Sequence, residues 1–319
     1  MPYTAASIPQ LADKRFVITG GNSGLGLETA RLLLGHGAKI TIACRDEAKM
    51  AQAATSLAAE LPGSAPVDQV VLDLASLASV RSAAATLAKM HPRIDGLINN
   101  AGIMAIPERK TADGIEMQFG TNHLGHFALT GLLLPQVVAA KGRVVTVSSV
   151  MHMYGHLVLS DIPVPKSYSP RHVYSMSKLA NVLFAYELDR RLKAARLPVL
   201  SVACHPGYSA TNLQLAGPRM SGSKLQTWLM KGANAVFAQS SKIGALAETM
   251  AATDPALHGG EYIGGTDLMG FRGYPVVAKS SAESHDQALA KELWTRSEAL
   301  SFVTFDFNPA TSAVAAAQI

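Results

Sequence analysis

The chain has 319 residues, of which 48% are hydrophobic and only 16% charged, well below the roughly one quarter usual for soluble domains, so a large buried core is expected. Its 28 basic and 23 acidic residues leave a formal charge of +5. The charges are dispersed, and no Arg/Lys stripe interleaved with aromatics appears, which argues against nucleic-acid binding and suits a small anionic ligand.

Residues 1 to 13 read as a lead-in arm without a charged leader or an apolar core. Lys14 to Thr19 (KRFVIT) is a strand candidate, followed by the turn GGNSGLG and a helix from Leu25 to Leu34. A second strand, Lys39 to Cys44, leads to an alanine-rich helix from Glu47 to Leu61 that Pro62-Gly63 ends. Val67 to Leu72 is a third strand, Ser76 the expected N-cap of a helix to Met90, and Ile94 to Ile98 a fourth strand. This rhythm of strand and helix predicts a parallel sheet covered on both faces. Asn99 to Gly114 reads as loop, a helix is placed within Gly125 to Ala140, and Arg143 to Val147 is a fifth strand. A helix from Tyr174 to Leu188 presents Leu179, Val182, Leu183 and Tyr186 at helical spacing, with Glu187, Asp189, Arg190 and Arg191 expected off that face. Pro198 to Ala203 is a sixth strand. The segment 207–231, with scattered glycine, proline and serine, reads as a substrate lid. A helix from Ala233 to Met250, a short strand near Tyr262-Ile263 and a helix from Ser284 to Leu300 complete the body, and the tail 309–319 is expected to fray. No repeat or linker marks a second domain, so residues 1–319 are read as one domain.

Cys44 and Cys204 each end an apolar run and read as buried thiols rather than a disulfide or a metal pair. No uninterrupted apolar segment of about 18 residues occurs. The expectation is a cytoplasmic protein without a membrane span or a metal.

Three stretches carry chemistry. The first, TGGNSGLG, places Gly20, Gly24 and Gly26 between a strand and a helix. Such a turn needs positive φ and no side chain where a pyrophosphate approaches, and the helix start supplies unpaired N–H groups. No GKS or GKT follows, so a nucleoside triphosphatase is disfavoured. The second is IACRD: an acid at the end of the second strand would accept from a ribose 2′-hydroxyl, but Cys44 stands there and Arg45, a partner suited to a 2′-phosphate, comes next. Asp46 is expected to cap the following helix. The third runs from Ser149 to Lys178. Tyr174 and Lys178 are four apart and project from one face of a helix. A phenol titrates near about 10, and an ammonium one turn away is expected to lower that value and make Tyr174 a workable acid and base. Ser149 would hold the substrate oxygen.

Taken together these stretches resemble the short-chain dehydrogenase/reductase family over roughly residues 12 to 300. The TGxxxGxG turn, Asp73-Leu74, Asn99-Asn100-Ala101-Gly102, Asn122 in TNHLGHF, Ser149, Tyr174-x-x-x-Lys178 and Pro206-Gly207 with Thr211 occur in the family's order. The resemblance implies a Rossmann-type, doubly wound α/β fold with a mainly parallel sheet of about seven strands. It implies Asn122, Ser149, Tyr174 and Lys178 as catalytic residues. It also implies cofactor contacts from Gly20, Asn22, Ser23, Gly24, Leu25, Gly26, Arg45, Asp73, Leu74, Asn99, Ala101, Gly102, Tyr174, Lys178, Pro206, Gly207 and Thr211. Asn122 would hold a water in a proton relay. The wording ITGGNSGLG, NNAGIM, TNHLGHF and YSMSKLANVLF, with a long inserted loop at 150–172, is similar to the retinol-dehydrogenase-like branch. The animal members' N-terminal anchor is not evident, which weakens a retinoid as the natural substrate. In that loop His152, Met153, Tyr154 and Leu157 either wall a substrate pocket or belong to the core.

The expected activity is NADP(H)-dependent interconversion of a ketone or aldehyde and an alcohol on a largely apolar small molecule. An NAD(H)-dependent alcohol dehydrogenase of the same fold remains an alternative. A sugar-nucleotide epimerase would favour TGxxGxxG spacing, and a non-catalytic nucleotide sensor would be expected to lose one of the four catalytic residues. The apolar surplus of the Gly125 to Pro135 and Tyr174 to Leu188 helices further suggests a homodimer or homotetramer.

Overall fold

The computed structural model describes residues 2–165, 167–207, 240–267 and 272–308. The first half alternates as the sequence predicts: β1 (Arg15–Thr19), α1 (Gly24–Gly35), β2 (Lys39–Cys44), α2 (Glu47–Glu60), β3 (Asp68–Val71), α3 (Leu77–Met90) and β4 (Gly96–Asn99). A single turn α4 (Met117–Phe119) and a π-turn (Gly120–Leu124) run into α5 (Gly125–Ala140), followed by β5 (Arg143–Val147) and a 3-10 turn (Val150–Tyr154). Then come α6 (Pro170–Ala194), β6 (Leu200–Cys204), α7 (Ser241–Thr253), β7 (Tyr262–Asp267), β8 (Arg272–Val277) and α8 (Gln287–Ser301). Local chemistry sets the boundaries. Asp46 and Ser76 accept the N–H groups of Lys49 and Ser79 as N-caps of α2 and α3, and Pro170 occupies the first turn of α6, where its missing N–H costs nothing.

The strands form one sheet in the order β3-β2-β1-β4-β5-β6-β7-β8, parallel except for β7 with β8. Sequence reading stopped at seven strands because Arg272–Val277 contains Gly273 and Pro275. A proline is tolerated there because β8 is an edge strand. Side chains alternate across the sheet. Val17, Leu97 and Val144 pack with α3, α5, α6 and α8, while Phe16, Ile18, Ile98 and Val145 pack with α1, α2 and α7. The order reverses between β1 and β4, so the crevice at their C-terminal ends is where a fold of this kind takes its ligand.

Two expectations about α6 are corrected. The helix extends past Leu188 to Ala194, and Glu187 and Asp189 are buried rather than solvated. Each is held by cations: Glu187 by Arg190 and Arg191 at 2.8 Å, and Asp189 by Lys193 at 2.8 Å. The apolar surplus that suggested a homo-oligomer is covered within the chain. Trp294 of α8 and Phe305 beyond it pack against Phe127 and Phe184, mostly edge-on or tilted, with centroids 4.8 to 6.3 Å apart. Gly131 permits that crossing, since a Cβ there would stand 2.7 Å from Phe305.

Candidate active site

The cradle lies at the end of β1. Gly20 and Gly24 have φ of +68° and +57°, which an L side chain rarely adopts. A Cβ on Gly26 would stand 2.5 Å from Asn100 Nδ2 and 2.8 Å from the Gly20 carbonyl. Ser23, the N-cap of the twelve-residue α1, makes no side-chain capping bond, so the first-turn N–H groups of α1 are open to an anion. These features fit a dinucleotide's pyrophosphate.

Asn100 braces the turn, donating to the Thr19 carbonyl at 2.6 Å, while the side chain of its neighbour Asn99 turns under the sheet to Thr130 of α5 at 2.9 Å. The Thr19 hydroxyl accepts the N–H groups of Asn100 and Ala101, both at 3.0 Å. His126 continues this chain. Its Nδ1 lies 2.9 Å from the Asn122 carbonyl, which can only accept, so the proton sits on Nδ1 and Nε2 takes the Thr19 hydroxyl at 2.9 Å. Burial pulls the His126 pKa down to about 4, which keeps the ring neutral. Thr19, Asn100 and His126 were not among the expected site residues, although ITGG, NNAG and TNHLGHF contain them.

Asn122 sits in the π-turn, a local widening often found at functional sites. Its side chain clamps Ile103, accepting from the N–H at 2.8 Å and donating to the carbonyl at 3.0 Å, and donates also to Ser177 Oγ at 2.9 Å. A Cβ on Gly102 would meet Asn122 Oδ1 at 3.2 Å and Lys178 Nζ at 3.4 Å, so the asparagine and the lysine flank the same glycine. Lys178 Nζ donates to the Val147 carbonyl at 3.1 Å and stands 5.9 Å from the centre of the Tyr174 ring. Ser148 Oγ ties β5 to the Lys178 carbonyl at 2.7 Å. Ser149 caps the 3-10 turn by accepting from Met151 N–H at 3.2 Å, and its hydroxyl lies near enough to the Tyr174 phenol to lower its pKa.

The electrostatics differ from expectation. Burial pushes the Tyr174 phenol up to about 12, offset only in part by the Ser149 hydroxyl, and burial pulls Lys178 down to about 8. The predicted lowering of Tyr174 by Lys178 does not occur, because desolvation of a phenol 4% exposed outweighs an ammonium 5.9 Å from the ring.

Of the remaining expected residues, Asp73 accepts from Ala75 N–H at 3.0 Å, and Leu74 is buried with its carbonyl against Gly125. Gly207 has φ of +66° and donates to His205 Nδ1 at 3.2 Å. Thr211, and all of the expected lid but Gly207, lie outside the described residues, as does the tail 309–319. In the inserted loop His152 and Leu157 are buried, while Met153 and Tyr154, in the turn that follows Ser149, are 50% and 63% exposed.

Across the sheet from Lys178, Glu248 of α7 is fully buried and accepts the Thr29 hydroxyl of α1 at 2.7 Å. Its other carboxylate oxygen has no hydrogen-bond partner. Burial raises its pKa from 4.5 to about 7. Below pH 4.5 the group is protonated whether folded or unfolded. Between 4.5 and about 7 only the unfolded chain ionises, so stability falls as pH rises, and above that window the loss is constant. Glu248→Gln keeps an acceptor for Thr29 and removes this slope. The stability difference between variant and wild type should therefore move in the variant's favour by up to about 3 kcal/mol from pH 4 to pH 8 in urea titrations. A difference independent of pH would show that Glu248 ionises normally.

Comparison with known proteins follows this geometry. The model of the short chain dehydrogenase family matches residues 14–218. Human retinol dehydrogenase 14 is 39% identical over 302 residues, covering 90% of this chain and 86% of that protein. Human retinol dehydrogenase 13 is 38% identical over 304 residues, covering 92% and 86%. Among solved structures, an uncharacterized protein from Mycobacterium Paratuberculosis is 40% identical with a TM-score of 0.79, over 96% of this chain and all of that one. L-sorbose reductase from Gluconobacter frateurii, complexed with NADPH and L-sorbose, shares the fold at 19% identity and a TM-score of 0.62, over 82% of this chain and 96% of that one.

The expected cytoplasmic location is overturned. The relatives spanning most of the chain are retinol dehydrogenases. The helical run Met117–Ala140, at 24 residues, is also long and apolar enough to cross a bilayer, although most of it is buried in this fold. Asn122, His123 and Gln136 interrupt this run, which is why no uninterrupted apolar segment shows in the sequence.

Proposed function

Because the chain belongs to the short chain dehydrogenase family, in its retinol-dehydrogenase-like branch, we propose that it interconverts an apolar alcohol and the corresponding aldehyde or ketone, preferring NADP(H) to NAD(H). That it is an oxidoreductase using NAD(P)(H) follows from the family. The observation that carries the proposal is the trio at the C-terminal edge of the sheet: the buried Tyr174 phenol with the half-buried Ser149 hydroxyl near it, and buried Lys178 on the next helical turn. The exposure of Met153 and Tyr154 in the turn that follows Ser149 supports the choice of substrate class.

A bound nicotinamide cofactor supplies or takes up the hydride. Gly20, Asn22, Ser23, Gly24, Leu25 and Gly26 would hold its pyrophosphate, Arg45 its adenosine ribose, and Lys178 its nicotinamide ribose. Tyr174 gives its phenolic proton to the carbonyl oxygen in reduction and takes it back in oxidation. Ser149 donates to the same oxygen and stabilises the negative charge that develops there. The Lys178 ammonium, held by the Val147 carbonyl, would act mainly by holding the cofactor ribose beside Tyr174.

Turnover of a panel of apolar aldehydes, ketones and alcohols, followed by the absorbance of the reduced cofactor with NADPH and NADH in turn, tests this reading. Reduction of apolar aldehydes or ketones with higher kcat/KM for NADPH is expected. Turnover confined to polar sugars would overturn the substrate class.

A further inference from the structure

We infer that His152 is a positioning residue that holds Ser149 in its working orientation, acting as a neutral imidazole with its proton on Nδ1. The inference rests on the reading of Ser149 as the group that binds the substrate oxygen. His152 lies three residues past that serine, in the 3-10 turn that follows β5, and is 1% exposed.

The hydrogen bonds fix its tautomer from both sides. The Ser281 backbone N–H, which can only donate, points at Nε2 from 3.1 Å, so Nε2 carries a lone pair. The Ser149 carbonyl, which can only accept, lies 2.7 Å from Nδ1, so Nδ1 carries the proton. The backbone N–H of His152 reaches the same carbonyl at 3.0 Å. Both lone pairs of the Ser149 carbonyl are therefore taken by one residue. Tyr262 of β7 holds the ring in place, with its hydroxyl 3.1 Å from Nδ1 and its ring centre 4.9 Å away, and His205 stacks on Tyr262. Ser281 is itself pinned, its carbonyl accepting from Ser284 Oγ at 2.6 Å.

This arrangement ties the Ser149 backbone to two elements distant in sequence, β7 and the segment that follows β8. The Ser149 hydroxyl, which accepts from Met151 N–H, keeps its proton for Tyr174 and the substrate. Burial lowers the basicity of His152, in keeping with a ring that stays neutral. A displacement of about 1 Å at a reacting group costs up to about 10²-fold in rate, so the three-point anchorage has a direct kinetic consequence.

Two substitutions separate positioning from stability. In His152→Asn the amide nitrogen occupies the place of Nδ1 and still donates to Ser149, but nothing reaches Ser281. In His152→Gln the side chain reaches Ser281 and leaves the Ser149 carbonyl one donor short. Each variant loses one buried bond, so similar falls in Tm are expected. Turnover should divide them: kcat down about tenfold or more in His152→Gln and within about threefold of wild type in His152→Asn, with the Kd for NADPH unchanged in both. Equal losses of kcat, or the reverse order, overturn the inference. Ser149→Ala serves as the control. If it keeps full activity the reading of Ser149 fails, whereas if it is inactive while the two His152 variants match, only the role of His152 fails. On the wild-type protein, nitrogen NMR with labelled histidine, assigned by the signal lost in His152→Asn, should show Nδ1 protonated and Nε2 bare at neutral pH. The opposite tautomer or a charged ring overturns the inference without reference to activity.

Discussion

Tyr174→Phe is expected to lower turnover by roughly 10²- to 10⁴-fold while the Kd for NADPH stays within a few-fold of wild type. The ring is buried among α6 and the 3-10 turn, and phenylalanine keeps that packing. What is lost is the phenolic hydroxyl, the group proposed to exchange the proton with substrate. Because burial pushes the phenol up to about 12, it is protonated throughout the neutral range and ready to act as an acid in reduction. Oxidation needs the phenolate, so its rate should climb with pH well past neutrality, while reduction stays level until the phenol begins to ionise. A variant that reduces an aldehyde at the wild-type rate would remove Tyr174 from the chemistry. Lys178→Ala is the companion measurement. It should weaken both turnover and cofactor binding, since the ammonium lies against Gly102 in the cradle wall as well as near the phenol.

The order of strands and helices was legible because the first half of the chain obeys local rules: Asp46 and Ser76 cap, glycines turn, and strands alternate between two covered faces. The motif residues could be named for the same reason, since turn, NNAG and YxxxK are short in sequence. What could not be read is what depends on distant packing. Glu187 and Asp189 look like surface charges until Arg190, Arg191 and Lys193 close over them. The apolar faces of α5 and α6 look unpartnered until Trp294 and Phe305 arrive from the far end of the chain. The direction of the Tyr174 shift also escaped the sequence, because spacing on a helix reveals the neighbouring charge but not the depth of burial. His126 and His152 sat within recognised stretches, but their roles depend on partners at Thr19 and Ser281.

Cofactor preference should turn on the end of β2. NADP differs from NAD by a 2′-phosphate on the adenosine ribose, a dianion at neutral pH. Asp46 does not oppose it: its carboxylate is committed to α2, accepting Lys49 N–H at 3.0 Å and Lys49 Nζ at 2.6 Å. Cys44 fills the position an acid would take, and burial raises its thiol to about 11. Arg45 follows β2 directly and is exposed, so in the proposed binding mode its guanidinium would meet the phosphate with paired N–H donors. A charge-assisted bond contributes about 1.5 to 3 kcal/mol, and solvent screening at an exposed site places the expected preference for NADPH near the low end, about tenfold. Arg45→Ala should abolish most of that margin while leaving NADH affinity unchanged. Cys44→Asp with Arg45→Ala should reverse it, because the new carboxylate accepts from the 2′-hydroxyl of NAD and repels the phosphate of NADP. The competing account is that Arg45 stacks on the adenine, which serves both cofactors alike. Dissociation constants for NADPH and NADH on wild type and Arg45→Ala decide between them, since an equal loss for both would leave stacking as the role of the arginine.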